Sequence, residues 1–415
     1  MRSALVPILL ADPMPWAFKA PYAWDFLRDR ARFAGGYKGA LSNTPNWTFT
    51  RASTGYAQTS GGVLQSFASG ELRRTDKGVL IEGAGTNLCL QSQTFDNASW
   101  SKVSASVTAN AVAAPDGTTT ADLLIAAAAS SQHRLDQTTT IAAAAHTFSV
   151  FLKAGGYSFA TLRVGTSGVV INLTDGTTNV PTAGWSVAVT TLANGWYRVA
   201  LSGTASLNDT VRINVDNTES GASTFTGDGT SGIYLWGAQL EAAAFASSYI
   251  PTTTASATRS ADVLTVPVSG IDYPISLFAE TDLVSLAGGS VSQSYFEIDD
   301  SSNDNRALLY GTNGGSQASR MYCATANVQQ ALPTVGALAA GARKTAGRCS
   351  LNSFQVAGNG TLATEDTSGT VPATPNRLVF GKENGTGTEL FGYLRRAAIW
   401  TRALSDAELQ ALTAA

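Results

Sequence analysis

The sequence predicts an all-β chain of two tandem β-sandwich domains of jelly-roll type, preceded by an N-terminal attachment segment and closed by a short C-terminal helix. Three observations carry this. Short segments along most of the chain alternate apolar and polar residues, the period of strands with one buried and one wet face. Turn dipeptides punctuate them: Asp116-Gly117, Gly155-Gly156, Asp175-Gly176, Asn194-Gly195 and Asp228-Gly229. Composition agrees: only 14% of 415 residues are charged, against roughly 25% in ordinary soluble domains. The polar balance falls to Thr, Ser, Asn and the 40 glycines, the residues of turns and exposed strand faces. A chain of this length exceeds what one core serves.

Residues 1–50 hold Trp16, Trp24 and Trp47, three of the eight tryptophans, with Phe18, Tyr22, Phe26, Phe33 and Tyr37. The stretch WDFLRDRARF, Trp24 to Phe33, reads as a short basic helix with an apolar stripe. So much aromatic surface on so short a segment marks an interface. Trp16, Phe18, Tyr22, Trp24, Phe26 and Phe33 are therefore the expected attachment residues; packing beneath the first sandwich is the alternative. The apolar run Ala4 to Ala11 is too short, and too interrupted by Pro7, for a signal peptide. It reads as a strand or anchor that docks on a partner.

Residues 51–95 form a connector with short strands at Gly78 to Glu82 and Thr86 to Leu90. Residues 96–255 form the first sandwich. Its strands are expected at Thr147 to Lys153, Ala160 to Val164, Val169 to Leu173, Trp185 to Thr190, Trp196 to Gly203, Val211 to Asp216 and Ile233 to Gln239. Asn194-Gly195 between two such runs is the strongest hairpin signal. Residues 250–262, rich in Thr, Ser and Ala, read as a linker. Residues 263–415 form the second sandwich, with strands at Ile275 to Leu283, Tyr295 to Asp299, Ala307 to Tyr310, Met321 to Ala324, Leu378 to Phe380 and Phe391 to Trp400. Ser405 and Glu408 have capping-box spacing and begin a terminal helix, which Leu409 and Leu412 fold back on the sheet.

The net charge of −3 and the lack of any Lys/Arg block argue against a nucleic-acid partner. No stretch is long enough to span a bilayer as a helix, so no membrane insertion is expected. Cys89, Cys323 and Cys349 make neither a disulfide framework nor a zinc site; Cys323 and Cys349 could pair within one domain, but single buried thiols are the preferred reading. His133 and His146 are too isolated for a metal cage or a Ser/His/Asp set. No Gly-x-Ser-x-Gly elbow is present, and the Gly311 to Gly315 loop lacks phosphate-binding spacing, so no cofactor is expected. Asp299, Asp300 and Asp304 could offer oxygens to Ca²⁺, but off EF-hand spacing; a solvated polar turn is the preferred reading. Glycan binding needs aromatic faces beside polar side chains, which Tyr157, Trp185, Tyr295, Tyr310 and Tyr322 could supply. Trp196, Trp236 and Trp400 lie in apolar strand patterns and belong to cores.

Three phrases add a resemblance: FTRASTGYAQ (Phe49 to Gln58), GVLIEGAGTNLCLQSQTFDNASWSK (Gly78 to Lys102) and YLWGAQLEAAAFASSYIPTTTASATRSADVL (Tyr234 to Leu264). Together, and in this order, they resemble head-spike and tail-fibre proteins of bacteriophages and phage-like gene transfer agents, head spikes most of all. The resemblance covers residues 49–264 well, the C-terminal sandwich loosely and residues 1–48 hardly. It implies a non-enzymatic component of the virion surface that adheres to host-surface polysaccharide. It also implies contact with a neighbouring virion protein and a homo-oligomeric, often trimeric, state. The closing TRALSDAEL resembles the end of laminin-G-like and concanavalin-A-like sandwiches, a lectin-like fold. Some glycoside hydrolases on that fold use Glu-x-Asp-x-x-Glu. Here Glu297 and Asp299 match but Ser302 occupies the third position, which leaves retaining hydrolysis without its acid. A polysaccharide-degrading spike and a purely structural decoration protein are the alternatives.

Overall fold

The computed structural model describes residues 14–17, 19–221, 224–284, 291–313, 318–336, 339–384 and 388–414. The expected anchor at Ala4 to Ala11 and Phe18 lie outside them. The described chain is all-β apart from short 3₁₀ turns and one α-helix, Asp406–Thr413. It divides into two units: unit 1 is Met1–Phe49, Gly78–Ile81 and Val263–Ala415, and unit 2 is Thr50–Lys77 and Glu82–Asp262. The chain thus leaves unit 1 and re-enters it twice, which the linear domain plan did not anticipate.

Unit 2 is a sandwich of two antiparallel sheets. The six-stranded sheet runs Ala105–Val112, Ala121–Ala126, Gly232–Glu241, Ala145–Gly155, Tyr197–Thr204, Ser186–Thr191. The five-stranded sheet runs Ser101–Val103, His133–Thr138, Thr210–Asp216, Phe159–Val164, Ser167–Asn172. Alternation sends Leu124, Phe148, Val150, Leu152 and Leu235 of the first sheet against Leu135, Leu162, Val169, Ile171, Ile213 and Val215 of the second. The six-stranded sheet is also buried on its other face, where Phe151, Trp196 and Trp236 pack with Tyr56, Leu64 and Tyr249. Truncating one such tryptophan to alanine typically costs about 3–5 kcal/mol. The hairpin expected at Asn194-Gly195 forms, with φ of 57° at Asn194 and 76° at Gly195.

The ends of unit 2 meet in a buried charge cluster. Arg73 Nη1 donates to Glu82 Oε2 at 2.7 Å, to Ser248 Oγ at 2.7 Å and to the Tyr56 carbonyl at 2.9 Å. Its Nη2 donates to Asp262 Oδ2. Arg51 Nη1 donates to Asp262 Oδ1 at 3.2 Å, and Arg259 Nη2 lies 3.5 Å from Glu82 Oε2. The backbone N–H groups of Glu82 and Ser248 donate to Asp262 and Glu82 at 2.9 and 2.8 Å. Burial alone would raise the Glu82 carboxyl, but Arg259 and Arg73 hold it down at about 2. These residues come from the phrases quoted above: Arg51 from FTRAS, Glu82 from GVLIEGAGTNL, Ser248 from SYIPT, Arg259 and Asp262 from TRSAD. Residues 250–262 are therefore no linker. Tyr249, Ile250, Arg259 and Asp262 are buried, and Ala257–Arg259 pairs with Gly85–Asn87.

Unit 1 is the second sandwich. One sheet runs Gly36–Gly39, Arg30–Phe33, Tyr22–Asp25, Gly392–Trp400, Ile275–Leu283, Gly341–Ser350, Ser353–Gly358, Thr361–Leu362, with Gly78–Ile81 also on Gly392–Trp400. The other runs Val328–Ala331, Ala318–Thr325, Arg306–Asn313, Val291–Asp299, Arg377–Phe380, Val263–Pro267, Thr48–Thr50. Trp24 joins them, its ring 5.0 Å from Phe380 and 6.2 Å from Phe296. The outer face of the first sheet is covered by Leu409 and Leu412 of the terminal helix and by Met14, Ala17 and Ala20. That helix opens with the expected capping box at Ser405 and Glu408. Cys323 and Cys349, read as single thiols, are both buried and touch each other; Cys89 is buried alone.

The attachment segment is corrected by these pairings. Trp24 to Phe33 is no helix: Tyr22–Asp25 pairs with both Arg30–Phe33 and Gly392–Trp400, with Trp24 opposite Ala397. A ladder on each side overrides the local helical pattern. Trp24 and Phe26 are fully buried and Tyr22 nearly so, with its ring 5.1 Å from Phe33. Trp16 packs on Phe278 at 5.7 Å, beneath the Arg396 guanidinium. Trp24, Phe26 and Tyr22 are thus spent in the interior of unit 1, while Trp16 and Phe33 are half-buried.

Asp262→Ala is expected to destabilise unit 2 by about 3–5 kcal/mol, because it strands Arg51 and Arg73 in the interior; the urea midpoint measures it. Glu82 ionises in the folded state far below its unfolded value of 4.5. Its contribution is thus present above pH 4.5 and is lost as the pH falls towards 2. A Glu82→Gln variant should be markedly weaker at pH 7 and differ least from the parent near pH 2.

Candidate functional site

In each unit one sheet is covered on both faces and the other turns a polar row outward. In unit 1 that row includes Glu297, Asp299, Arg306, Tyr310, Arg320, Tyr322 and Arg377, aligned by the registers Glu297 with Leu308, Asp299 with Arg306, Leu308 with Tyr322 and Asp299 with Arg377. Arg306 Nη1 lies 3.0 Å from Glu383 Oε2 and 3.7 Å from Glu297 Oε1, and its guanidinium sits 5.2 Å above the Tyr322 ring. Burial, and then the Asp299 charge, push the Glu297 carboxyl up to about 8. Glu383 takes the charge of Arg306, and Glu297 stays protonated at neutral pH. Asp299 is gripped by Arg377 at 2.9 and 2.7 Å, and Asp300 accepts from Ser302 and Asn305. Two of the three loop carboxylates weighed for Ca²⁺ are thus engaged, Asp299 by Arg377 and Asp300 by the turn itself. Among the described residues no group of three or more His, Cys, Asp or Glu could hold a metal.

The five aromatics expected to stack on sugars do not meet. Tyr295 is fully buried beside Ser319, and Tyr310 is only 8% exposed. Neither can offer a ring face. Tyr322 is half-buried under Arg306. Tyr157 packs edge-on against Phe225 at 5.2 Å. Trp185 lies over Gly203, where a Cβ would sit 2.2 Å from the indole. These rings are packing elements.

Unit 2 offers a groove instead. The outer row of its five-stranded sheet carries Arg134, Asn214 and Thr161 side by side, and next to them Asp136, Arg212 and Arg163. A cavity of about 230 Å³ opens over Thr161, Arg163, Gly168 and Val170, between Asn179–Thr182 on one side and Ser220–Gly221 on the other. That is below the roughly 300–1,000 Å³ of sites for drug-sized ligands and suits one small polar ring. The walls are built from the sheet edge. Asn179 Oδ1 accepts from the Val170 N–H at 2.8 Å and Thr182 Oγ1 from the Gly168 N–H at 2.9 Å. Gly221 takes φ of 65°, and a Cβ there would sit 2.2 Å from Val170 and 2.8 Å from Thr161 Oγ1. Only glycine lets the second wall come down so close.

One group in the groove is incompletely satisfied. Arg163 Nε is buried without a hydrogen-bond partner among the described residues. Such a group costs free energy until something meets it. Sequence reasoning missed it. Alternation along Phe159 to Val164 points Arg163 outward, but only the folded chain brings it beside Asn179–Thr182 and Ser220–Gly221.

No known family profile matches the chain, and no curated protein does. Among solved structures the chain is similar to the CBM40 of the Ruminococcus gnavus IT-sialidase bound to alpha2,6 sialyllactose, at 17% identity, over 34% of this chain and 82% of that one, with a TM-score of 0.27. It is similar to the NanB sialidase of Streptococcus pneumoniae at 12% identity, over 35% of this chain and 26% of that one, with a TM-score of 0.28. It is also similar to the Trypanosoma rangeli sialidase in complex with sialic acid, at 11% identity, over 68% and 60%, with a TM-score of 0.28. At such scores these likenesses do not bear on what this chain binds or catalyses.

The raised Glu297 has a consequence for stability. Above pH 4.5 the unfolded state releases this proton, whereas the folded state keeps it until about pH 8. Each pH unit in that window costs the fold up to about 1.4 kcal/mol. A Glu297→Gln variant escapes this. Its stability relative to the parent should rise steadily from pH 4.5 to 8 in urea titrations; a constant difference would show Glu297 to be ionised.

Proposed function

We propose that this chain is a non-enzymatic adhesion protein of a phage or phage-like particle that binds host-surface polysaccharide. The observation that carries the binding reading is the groove in unit 2. A polar cavity the size of a small ring is lined by Thr161, Thr166, Asn179, Thr182, Ser220 and Arg163. Hydroxyl, amide and guanidinium groups match the alternating donors and acceptors of a sugar. The virion setting rests on the quoted phrases and their resemblance to head-spike fibres. Several copies on one particle would convert weak contacts into firm adhesion, because every contact after the first is effectively intramolecular. A homo-oligomer held by a neighbouring virion protein fits that use.

Hydrolysis has one observation in its favour: Glu297 holds a proton at neutral pH, as a general acid must. Against it, Glu297 is fully buried beneath Arg306, out of reach of a glycosidic oxygen. Adhesion is the better-supported reading.

Labelled protein should bind capsulated host cells and lose that binding when the capsule is removed. A Ser220→Trp variant, which fills the groove from its rim, should bind neither. Equal binding to bare cells would remove polysaccharide as the receptor, and release of oligosaccharides from purified capsule would restore the hydrolase reading.

A further inference from the structure

Charge on the groove face identifies the class of sugar. Three arginines stand on the outer face of the five-stranded sheet, and two are already paired. Arg212 Nε lies 2.6 Å from Asp136 Oδ1, and Arg134 Nε lies 3.1 Å from Asp136 Oδ2. Arg134 also donates to Gln132 at 2.8 Å. One carboxylate thus serves two guanidiniums. The other acid on this face, Asp216, accepts from Thr161. Glu219, on the loop above, is exposed and comes within 4.0 Å of no cationic group among the described residues. Arg163 stands directly opposite Arg212 in the register and has no acidic partner among the described residues. Like charges directly opposite one another in a sheet are destabilising.

Packing nevertheless fixes Arg163 in place. Gly168 faces it across the hairpin, and a Cβ there would sit 2.8 Å from Arg163 Cγ, so the arginine stem lies flat over the missing side chain. A positive group thus lines a polar cavity with no acidic partner among the described residues, and it can receive an anion.

We propose that the groove is the subsite for an acidic sugar, whose carboxylate is received by Arg163 and whose hydroxyls lie towards Asn179, Thr182 and Ser220. This rests on the glycan-binding reading above and goes beyond it by naming the chemistry of the residue bound. A neutral hexose would leave Arg163 as it is. A carboxylate offers the guanidinium a charge-assisted, two-point contact in a partly desolvated place, where such contacts are strongest.

The test is a binding titration of the full chain at 150 mM salt, roughly physiological ionic strength, against immobilised uronate- and sialate-bearing oligosaccharides. Their carboxyl-reduced counterparts, in which each carboxylate has become a primary alcohol, and dextran sulfate complete the panel. At least one acidic glycan should bind, and carboxyl reduction should weaken it about tenfold or more, the size of a lost charged hydrogen bond. Arg163→Gln should cause the same loss on the acidic glycan, and Arg163→Lys a smaller one. Neither should shift the thermal midpoint downward, since Arg163 hydrogen-bonds no other side chain among the described residues. Equal affinity for the acidic and reduced forms would overturn the acidic-sugar proposal and leave glycan binding standing. So would acidic binding indifferent to Arg163→Gln, or matched by dextran sulfate. No binding to any glycan by correctly folded protein would overturn both.

Discussion

Unit 2 depends on one interaction: three buried guanidiniums, of Arg51, Arg73 and Arg259, gathered around the two carboxylates of Glu82 and Asp262. Buried ions are costly unless each is paired and hydrogen-bonded, and an ion cluster adds little stability over an apolar core of the same shape. Its effect is specificity. Arg51, Glu82 and Asp262 each lie within one residue of a point where the chain passes between units, so the cluster fixes where unit 2 begins, is interrupted and ends. A sandwich whose boundary strands could slip would present a different outer face. The phrases around these residues, separated by up to 211 positions in sequence, supply complementary charges at one place.

A second constraint follows from strand geometry. Every strand has two faces, and a sandwich buries one. In both units one sheet has its second face covered as well: by the terminal helix and residues 14–20 in unit 1, and by Tyr56, Leu64 and Tyr249 in unit 2. The partner sheets keep polar outer rows. In unit 1 the acids of the row are paired: Arg306 with Glu383 and Arg377 with Asp299. In unit 2 Arg163 has no acidic partner among the described residues and lines a polar cavity. The two faces thus differ in how their charges are met.

Period-2 alternation made the sandwich strands legible. Ile275–Leu283 falls where the pattern placed it, and Ala145–Gly155, Phe159–Val164 and Gly232–Glu241 differ from expectation only at their ends. The capping box at Ser405 was legible for the same reason: it is a local interaction. What escaped was non-local. Trp24 to Phe33 carries a helical pattern, and only pairing within unit 1 makes it a hairpin of Tyr22–Asp25 and Arg30–Phe33. Arg51 and Asp262 pair across the whole of unit 2. The sugar site was sought in aromatics, yet Tyr295 and Tyr310 are large rings that the interior consumes. Thr161 and Arg163 are ordinary in sequence and line a cavity only through cross-strand register and the close approach of Gly221.

The most direct measurement is a map of backbone and arginine side-chain NMR shifts on adding a panel of acidic oligosaccharides. The perturbed signals are expected to cluster at Thr161, Arg163, Gly168, Asn179 and Gly221, with the Arg163 Nε–H among the largest. Perturbations confined to the Glu297–Arg306 face, or a spectrum unchanged by every member of the panel, would contradict glycan binding at the groove.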